Sequence, residues 1–224
     1  MNLLLLAIAP VMFVVIYIYV KDKFEKEPIS FLIKNFLLGA IVSVLITMIL
    51  SGFLNSVYPL TDQHSIIQQF VKAFFVVALV EEYSKFVIVK YYAQKSNEFN
   101  EPFDGIVYAV MVSMGFAALE NVLYVFQFGF STGITRAFTA VPAHATFGIL
   151  MGFFMGKAKF SNNKQKLNLL GLIVATIFHG AYDFFLFINF IPGTIIGAIL
   201  SLIIGIVLAR KAIKKHQFNS NFKL

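Results

Sequence analysis

Leu3-Leu-Leu-Leu-Ala-Ile-Ala-Pro-Val-Met-Phe-Val-Val-Ile-Tyr-Ile-Tyr-Val20 runs without a charge into Lys21-Asp-Lys-Phe-Glu-Lys-Glu-Pro28. As a helix, an apolar stretch of that length matches the hydrocarbon thickness of a bilayer. No basic segment precedes it and no small-x-small cleavage site occurs before Lys21, so it reads as a retained span and not as a removed signal peptide. Apolar runs and polar breaks then alternate along all 224 residues, giving spans at about 3–20, 31–54, 66–92, 105–128, 137–156, 167–190 and 193–209. Composition agrees: 59% of residues are hydrophobic, 13% are charged, and mean hydropathy is +0.82. That charged fraction is half the ~25% of a soluble domain. The expected fold is an all-α, polytopic membrane bundle of about seven helices, forming one domain over residues 1–224. Cysteine is absent, which excludes disulfides, thiolate metal ligands and a cysteine nucleophile.

The polar breaks orient the bundle. Basic residues crowd after the first, third, fifth and seventh runs, at Lys21/Lys23/Lys26, Lys90/Lys95, Lys157/Lys159/Lys164/Lys166 and Arg210/Lys211/Lys214/Lys215. The loops after the second, fourth and sixth contain one basic residue between them, Arg136. Seven spans with the N-terminus outside and the C-terminus in the cytoplasm satisfy this alternation under the positive-inside rule. The net charge of +7 is then a topology signal, and no basic domain exists to bind nucleic acid. Small residues recur every fourth position through Ala140, Gly148, Gly152 and Gly156, with His144 on the same stripe, and again through Gly193, Gly197, Ser201, Gly205 and Ala209. Such stripes let helices approach closely in lipid. No internal repeat is visible, which weighs against a transporter built from inverted halves.

A charge at the bilayer centre costs at least ~2.5–3.5 kcal/mol on insertion scales, so each one invites a functional reading. Glu81 and Glu82 lie in the third run, Glu120 in the fourth, His144 in the fifth and His179 in the sixth. At 1.5 Å per residue the five lie roughly 10–24 Å from the outer helix ends; with the third span tilted or starting deeper, all are expected between the midplane and the outer face. Lys85 shares a helix face with Glu81 and Glu82, and Asp183 shares one with His179. Asn121 follows Glu120 and can bond between helices. The structural alternative, an ion pair between Glu82 and Lys85, leaves Glu81 without a partner.

Known intramembrane chemistries narrow the choice. Ser113 and Ser84 lack the setting of a serine nucleophile, and Asp183 has no second aspartate in a span, since Asp104 reads as a helix N-cap. The His-Glu-x-x-His zinc motif is missing. Glu/His chemistry assembled from separate helices remains, in two versions. In one, a desolvated Glu takes a proton from water while a His stabilises the oxyanion or protonates the leaving amine. In the other, His144, His179 and Glu120 hold Zn2+, Glu81 or Glu82 acts as base toward metal-bound water, and Asp183 orients His179. Both describe a hydrolase of peptide bonds in or beside the membrane, with either no cofactor or zinc.

Glu81-Glu82-Tyr-Ser-Lys85, Phe116-Ala-Ala-Leu-Glu120-Asn121, His144 and His179-Gly-Ala-Tyr-Asp183 resemble, in order, the motifs of the PrsW family of bacterial intramembrane proteases. The similarity extends to Lys21-Asp22 with Glu27-Pro28, to Asp104-Gly105-Ile106-Val107-Tyr108, and to Met151-Gly152 and Gly156-Lys157-Ala158. The related CAAX prenyl protease and bacteriocin-immunity superfamily usually has Glu-Glu-x-x-x-Arg and a His where Glu120 stands. Lys85 and Glu120 therefore favour PrsW over a CAAX-type endopeptidase. The resemblance implies site-1 cleavage of a single-pass, membrane-bound anti-sigma factor, leading to release of an extracytoplasmic-function sigma factor under envelope stress. It implies Glu81 and Glu82 as the principal catalytic carboxylates, with Glu120, His144 and His179 completing the site, in the cell membrane of a bacterium. The rival from another class is a proton- or ion-coupled transporter using Glu81, Glu120, His179 and Asp183 as a relay. A noncatalytic membrane partner is the third reading.

Overall fold

The computed structural model describes residues 2–220 and 222, and among them there is no strand. Among the described residues, six helical segments are long and apolar enough to cross a membrane: Leu3–Lys21, Ile29–Val57, Pro102–Phe128, Phe130–Lys159 (two helices that meet at Thr139), Lys164–Phe187 and Ile195–Phe218. The fold is the expected polytopic helical bundle. Residues 66–91 are also helical throughout, but Lys72, Glu81, Glu82, Lys85 and Lys90 keep them out of that apolar class. The difference between six apolar helices and about seven expected runs is thus the price of the charges in this one helix.

In chain order, α1 is Leu3–Lys21, α2 Ile29–Val57, α3 residues 66–91, α4 Pro102–Phe128, α5 Phe130–Phe138, α6 Ala140–Lys159, α7 Lys164–Phe187 and α8 Ile195–Phe218. Most boundaries fall within about three residues of the sequence reading, and two differences are larger. Residues between the fourth and fifth runs, read as loop, form the amphipathic helix α5, set off from α4 by Gly129 at φ +84°. The last helix continues past Ala209 to Phe218, because its basic residues leave the apolar layer without breaking the helix. Asp104 is also not the N-cap of α4. Glu101 is, and Asp104 closes a capping box three residues in, accepting from the Asn100 and Glu101 amides at 2.7 and 2.8 Å.

α4 is the central helix, buried over most of its length, and α6 lies closest to it. Their contact is made by backbone: a Cβ on Gly152 would sit 2.3 Å from the Gly105 carbonyl oxygen. Only glycine permits that approach, which is the use that a small-residue stripe has in lipid. α2 and α3 each contain a π-turn, at Gly39–Ser43 and Lys72–Ala78. Extra residues of this kind rotate the rest of the helix and occur at functional sites. Ser43, at the end of the first turn, shares a 2.5 Å hydrogen bond with Ser84, and Thr47 donates to Ser84 at 3.0 Å, fixing α3 against α2. The apolar residues left exposed, such as Ile49, Phe53, Ile196 and Leu200, face where acyl chains would lie.

Candidate active site

The turn Lys72–Ala78 delivers Glu81 and Glu82 into the bundle, facing α6 and α7. Glu82 is fully buried and Lys85 is 1% exposed. Lys85 Nζ donates to Glu82 Oε1 at 2.8 Å and to Glu81 Oε2 at 3.4 Å, so both carboxylates share one ammonium. The same Nζ lies 3.4 Å from His144 Nδ1 and 4.2 Å from the centre of the Phe116 ring. With Lys85 as donor, His144 Nδ1 must accept, which leaves its Nε2–H to donate to Glu120 Oε2 at 2.8 Å.

His179 on α7 completes the set. Its Nδ1 is 2.9 Å from Glu82 Oε1 and its Nε2 is 3.3 Å from Asp183 Oδ2, so both ring nitrogens face carboxylates. Phe147 stacks on the imidazole at 4.7 Å, holding the ring plane. The two imidazoles are 5.5 Å apart and nearly perpendicular. Glu81, Glu82, His144 and His179 each offer a ligand atom, and those atoms all lie within 4.8 Å of one another.

Glu120 stands beside this group and not within it. Its Oε2 accepts from His144 and, at 2.7 Å, from Arg136 Nη2. Arg136 Nε also donates to Asn121 Oδ1 at 2.6 Å, and Asn121 reaches back to the Ala7 carbonyl on α1 at 3.2 Å. Asn121 is therefore an anchor for Arg136 and α1, one layer away from the donors. Arg136 was missed in the sequence because its segment reads as loop. The available signal was that it is the single basic residue in its stretch of chain, between two apolar runs.

A cavity of about 570 Å³ opens above the donors, between α3, α5 and α7. Glu81, Glu120, His144 and His179 line its floor, and Lys72, Thr132 and Arg136 its rim. A second cavity of about 280 Å³ shares Lys72, Leu186 and Phe187 with it. Both lie toward the end of the bundle that lacks the lysine clusters. Four carboxylates (Glu81, Glu82, Glu120, Asp183) meet two permanent cations (Lys85, Arg136) here, leaving about two negative charges to be balanced by protons or by a divalent ion.

A buried carboxylate-imidazole group under an open cavity can activate water and exchange protons with a bound amide. Comparisons with known proteins agree with that chemistry. A model described as PrsW family intramembrane metalloprotease matches residues 27–210. Protease PrsW of Geobacillus kaustophilus (strain HTA426) is 38% identical over 186 residues, covering 83% of this chain and 80% of that protein. Protease PrsW of Clostridioides difficile (strain 630) is 36% identical over 197 residues, or 85% and 81% of the two chains. Protease PrsW of Bacillus subtilis (strain 168) is 35% identical, covering 80% of each. No solved structure matches the chain. Similarity of this extent makes the chain a member of the PrsW family, a multi-pass membrane peptidase of the bacterial cell.

Proposed function

We propose that this chain, as one membrane-embedded domain, makes the first cut in a single-pass anti-sigma factor near its extracellular side, so that an extracytoplasmic-function sigma factor is later released. The N-terminus lies outside and the C-terminus in the cytoplasm in this reading. The observation that carries the peptidase chemistry is the convergence of Glu81, Glu82, His144 and His179 within 4.8 Å beneath a cavity that admits a peptide segment. Placement of that cavity at the lysine-poor end supports the extracellular side, by the positive-inside rule.

Roles follow from contacts. Glu81 lines the cavity and is held loosely, by Lys85 at 3.4 Å, so it is the carboxylate free to take a proton from the attacking water. Glu82 is fixed on both sides, by Lys85 and His179, and orients both. His144, tethered by Glu120, and His179, tethered by Asp183, are placed to donate a proton to the leaving amine or to stabilise the oxyanion.

The donor set also fits zinc. Two imidazoles and two carboxylates are its usual ligands, the residual charge calls for a divalent cation, and Glu82 Oε2 is buried without a hydrogen-bond partner. Glu81, Glu82, His144 and His179 would hold the ion, with Glu120 outside the set as a support for His144. Bound there, zinc would supply Lewis-acid polarisation and a more acidic water.

The test is cleavage of an anti-sigma factor by purified protein in liposomes, with metal analysis, chelator treatment and zinc re-addition. Loss of cleavage in Glu82→Gln and His179→Ala, with insertion intact, is the expected result. Normal cleavage by either variant would sink the assigned site. Proton or solute flux without any cleavage would instead establish the transporter reading.

A further inference from the structure

Among the described residues, Lys72 and Arg136 are the permanent cations at the lysine-poor end of the bundle, and both line the cavity above the site. Their situations differ. Arg136 is committed to Glu120 and Asn121. Lys72 is exposed, has no ion pair among the described residues, and lies with Nζ 5.1 Å from the centre of the Phe187 ring. It also borders both cavities, where they meet. The neighbouring carboxylate, Asp183, already faces His179 at 3.3 Å. A cation on the disfavoured side of a membrane protein, held over an aromatic ring at the mouth of a cavity and lacking an anion, is a recognition element waiting for one.

We infer that Lys72 binds an acidic side chain of the substrate, on the flank of the scissile bond that extends toward the lysine-poor end. This rests on the protease reading above. The position follows from length: nine residues separate Lys72 from Glu81, about 13 Å along a helix axis at ~1.5 Å per residue. An extended peptide covers that distance in about four residues, fewer once the lysine stem leans inward. The acidic residue therefore belongs about two to four residues from the cut. Lipid phosphate is the competing anion, but a lysine serving lipid would face outward, whereas this one lines the two cavities through Phe187.

The experiment uses the full chain in liposomes and a single-pass anti-sigma-factor peptide whose cleavage site is first mapped by mass spectrometry. Glu, Gln or Lys is then placed two, three or four residues from the cut. Wild type should cleave the best-placed Glu probe about tenfold more efficiently than its Lys counterpart, with the difference in KM. Lys72→Arg should keep the preference, Lys72→Gln should abolish it, and Lys72→Glu should reverse it toward the Lys probe. Equal cleavage of all probes by wild type would overturn the inference and leave the protease reading standing. So would a Lys72→Gln defect that is the same for every probe and tracks the anionic-lipid content of the vesicle. If wild type cleaves no probe at all, the protease reading fails and this inference fails with it.

Discussion

Replacing Lys85 by Met separates the structural from the chemical role of the central ion cluster. The Lys85 ammonium is 2.8 Å from Glu82 and 3.4 Å from Glu81, and it is 1% exposed. Met keeps the stem against Phe116 and removes the charge. Glu82 is then left with only His179 Nδ1, at 2.9 Å, and Oε2 already has no partner. Stranding one member of a buried pair costs about 3–5 kcal/mol. Thermal unfolding in detergent should therefore drop by on the order of 10 °C, using the ~2–4 °C per kcal/mol of a chain this size. Adding Glu82→Gln to Lys85→Met removes the stranded charge, so most of the lost stability should return while cleavage stays absent. A Lys85→Met protein that unfolds at the wild-type temperature would show that the ammonium does not hold these carboxylates. A double variant no more stable than the single one would refute the charge argument equally well.

The other predictions address the supports of the site. Arg136→Gln frees Glu120 from its 2.7 Å partner and loosens His144, and should lower kcat about 10- to 100-fold with little change in unfolding temperature; an unchanged kcat would remove Arg136 from the machinery. Gly152→Ala drives a Cβ to 2.3 Å from the Gly105 carbonyl and should cost about 1–3 kcal/mol, together with activity, because α4 and α6 carry Glu120 and His144. Differential scanning fluorimetry and peptide cleavage, measured on the same preparation, check both effects. Asp22, outside the spans, has its pKa pushed up to about 6 from 3.8, chiefly by burial. Folding thus favours its protonated form, so this contribution is complete below about pH 3.8 and fades as pH rises through about 6. Asp22→Asn should stabilise the protein at pH 8 by up to about 3 kcal/mol and not at pH 4; a stability gain that is the same at both values would contradict it.

Much of this site was legible because lipid makes charge expensive. Glu81, Glu82, Glu120, His144 and His179 stand out against apolar runs, and the i,i+3 and i,i+4 spacings place Lys85 beside both glutamates and His179 beside Asp183. The expectation that a Glu82–Lys85 pair leaves Glu81 without a partner does not hold, because the same ammonium reaches Glu81 at 3.4 Å. Periodicity along a single helix could not show that Glu82 and His179 share a hydrogen bond across the bundle, or that Glu120 falls outside the four clustered donors. Those facts depend on helix rotation, which the π-turn at Lys72–Ala78 alters by an amount no apolar pattern records. Arg136 was hidden for another reason. A short amphipathic helix, Phe130–Phe138, between two spans has too few residues for a clear period, and its one basic side chain resembles a solvated loop residue until α5 is folded over the cavity.

The bundle holds a second group of buried acids, and the comparison explains what the first is for. At the lysine-rich end, Asp22, Glu27, Glu101 and Asp104 are all nearly inaccessible, yet none has a salt bridge among the described residues. Lys26, next to Glu27 in sequence, donates instead to the Tyr19 and Asp22 carbonyls. Glu27 meets the Asp104 carboxyl, and burial together with that neighbour pushes its pKa up to about 10. Glu27 is therefore a neutral hydrogen-bonding group at physiological pH, and it ties the α1–α2 turn to the start of α4. Around Glu81, Glu82 and Glu120 the fold supplies cations instead. It places Lys85 on Glu81 and Glu82, and Arg136 on Glu120. An ammonium or guanidinium beside a carboxylate offsets the cost of burying its charge, and a carboxylate is the group that activation of water or capture of zinc employs. Acidic residues alone therefore do not mark the site in this protein; acidic residues paired with cations inside the bundle do.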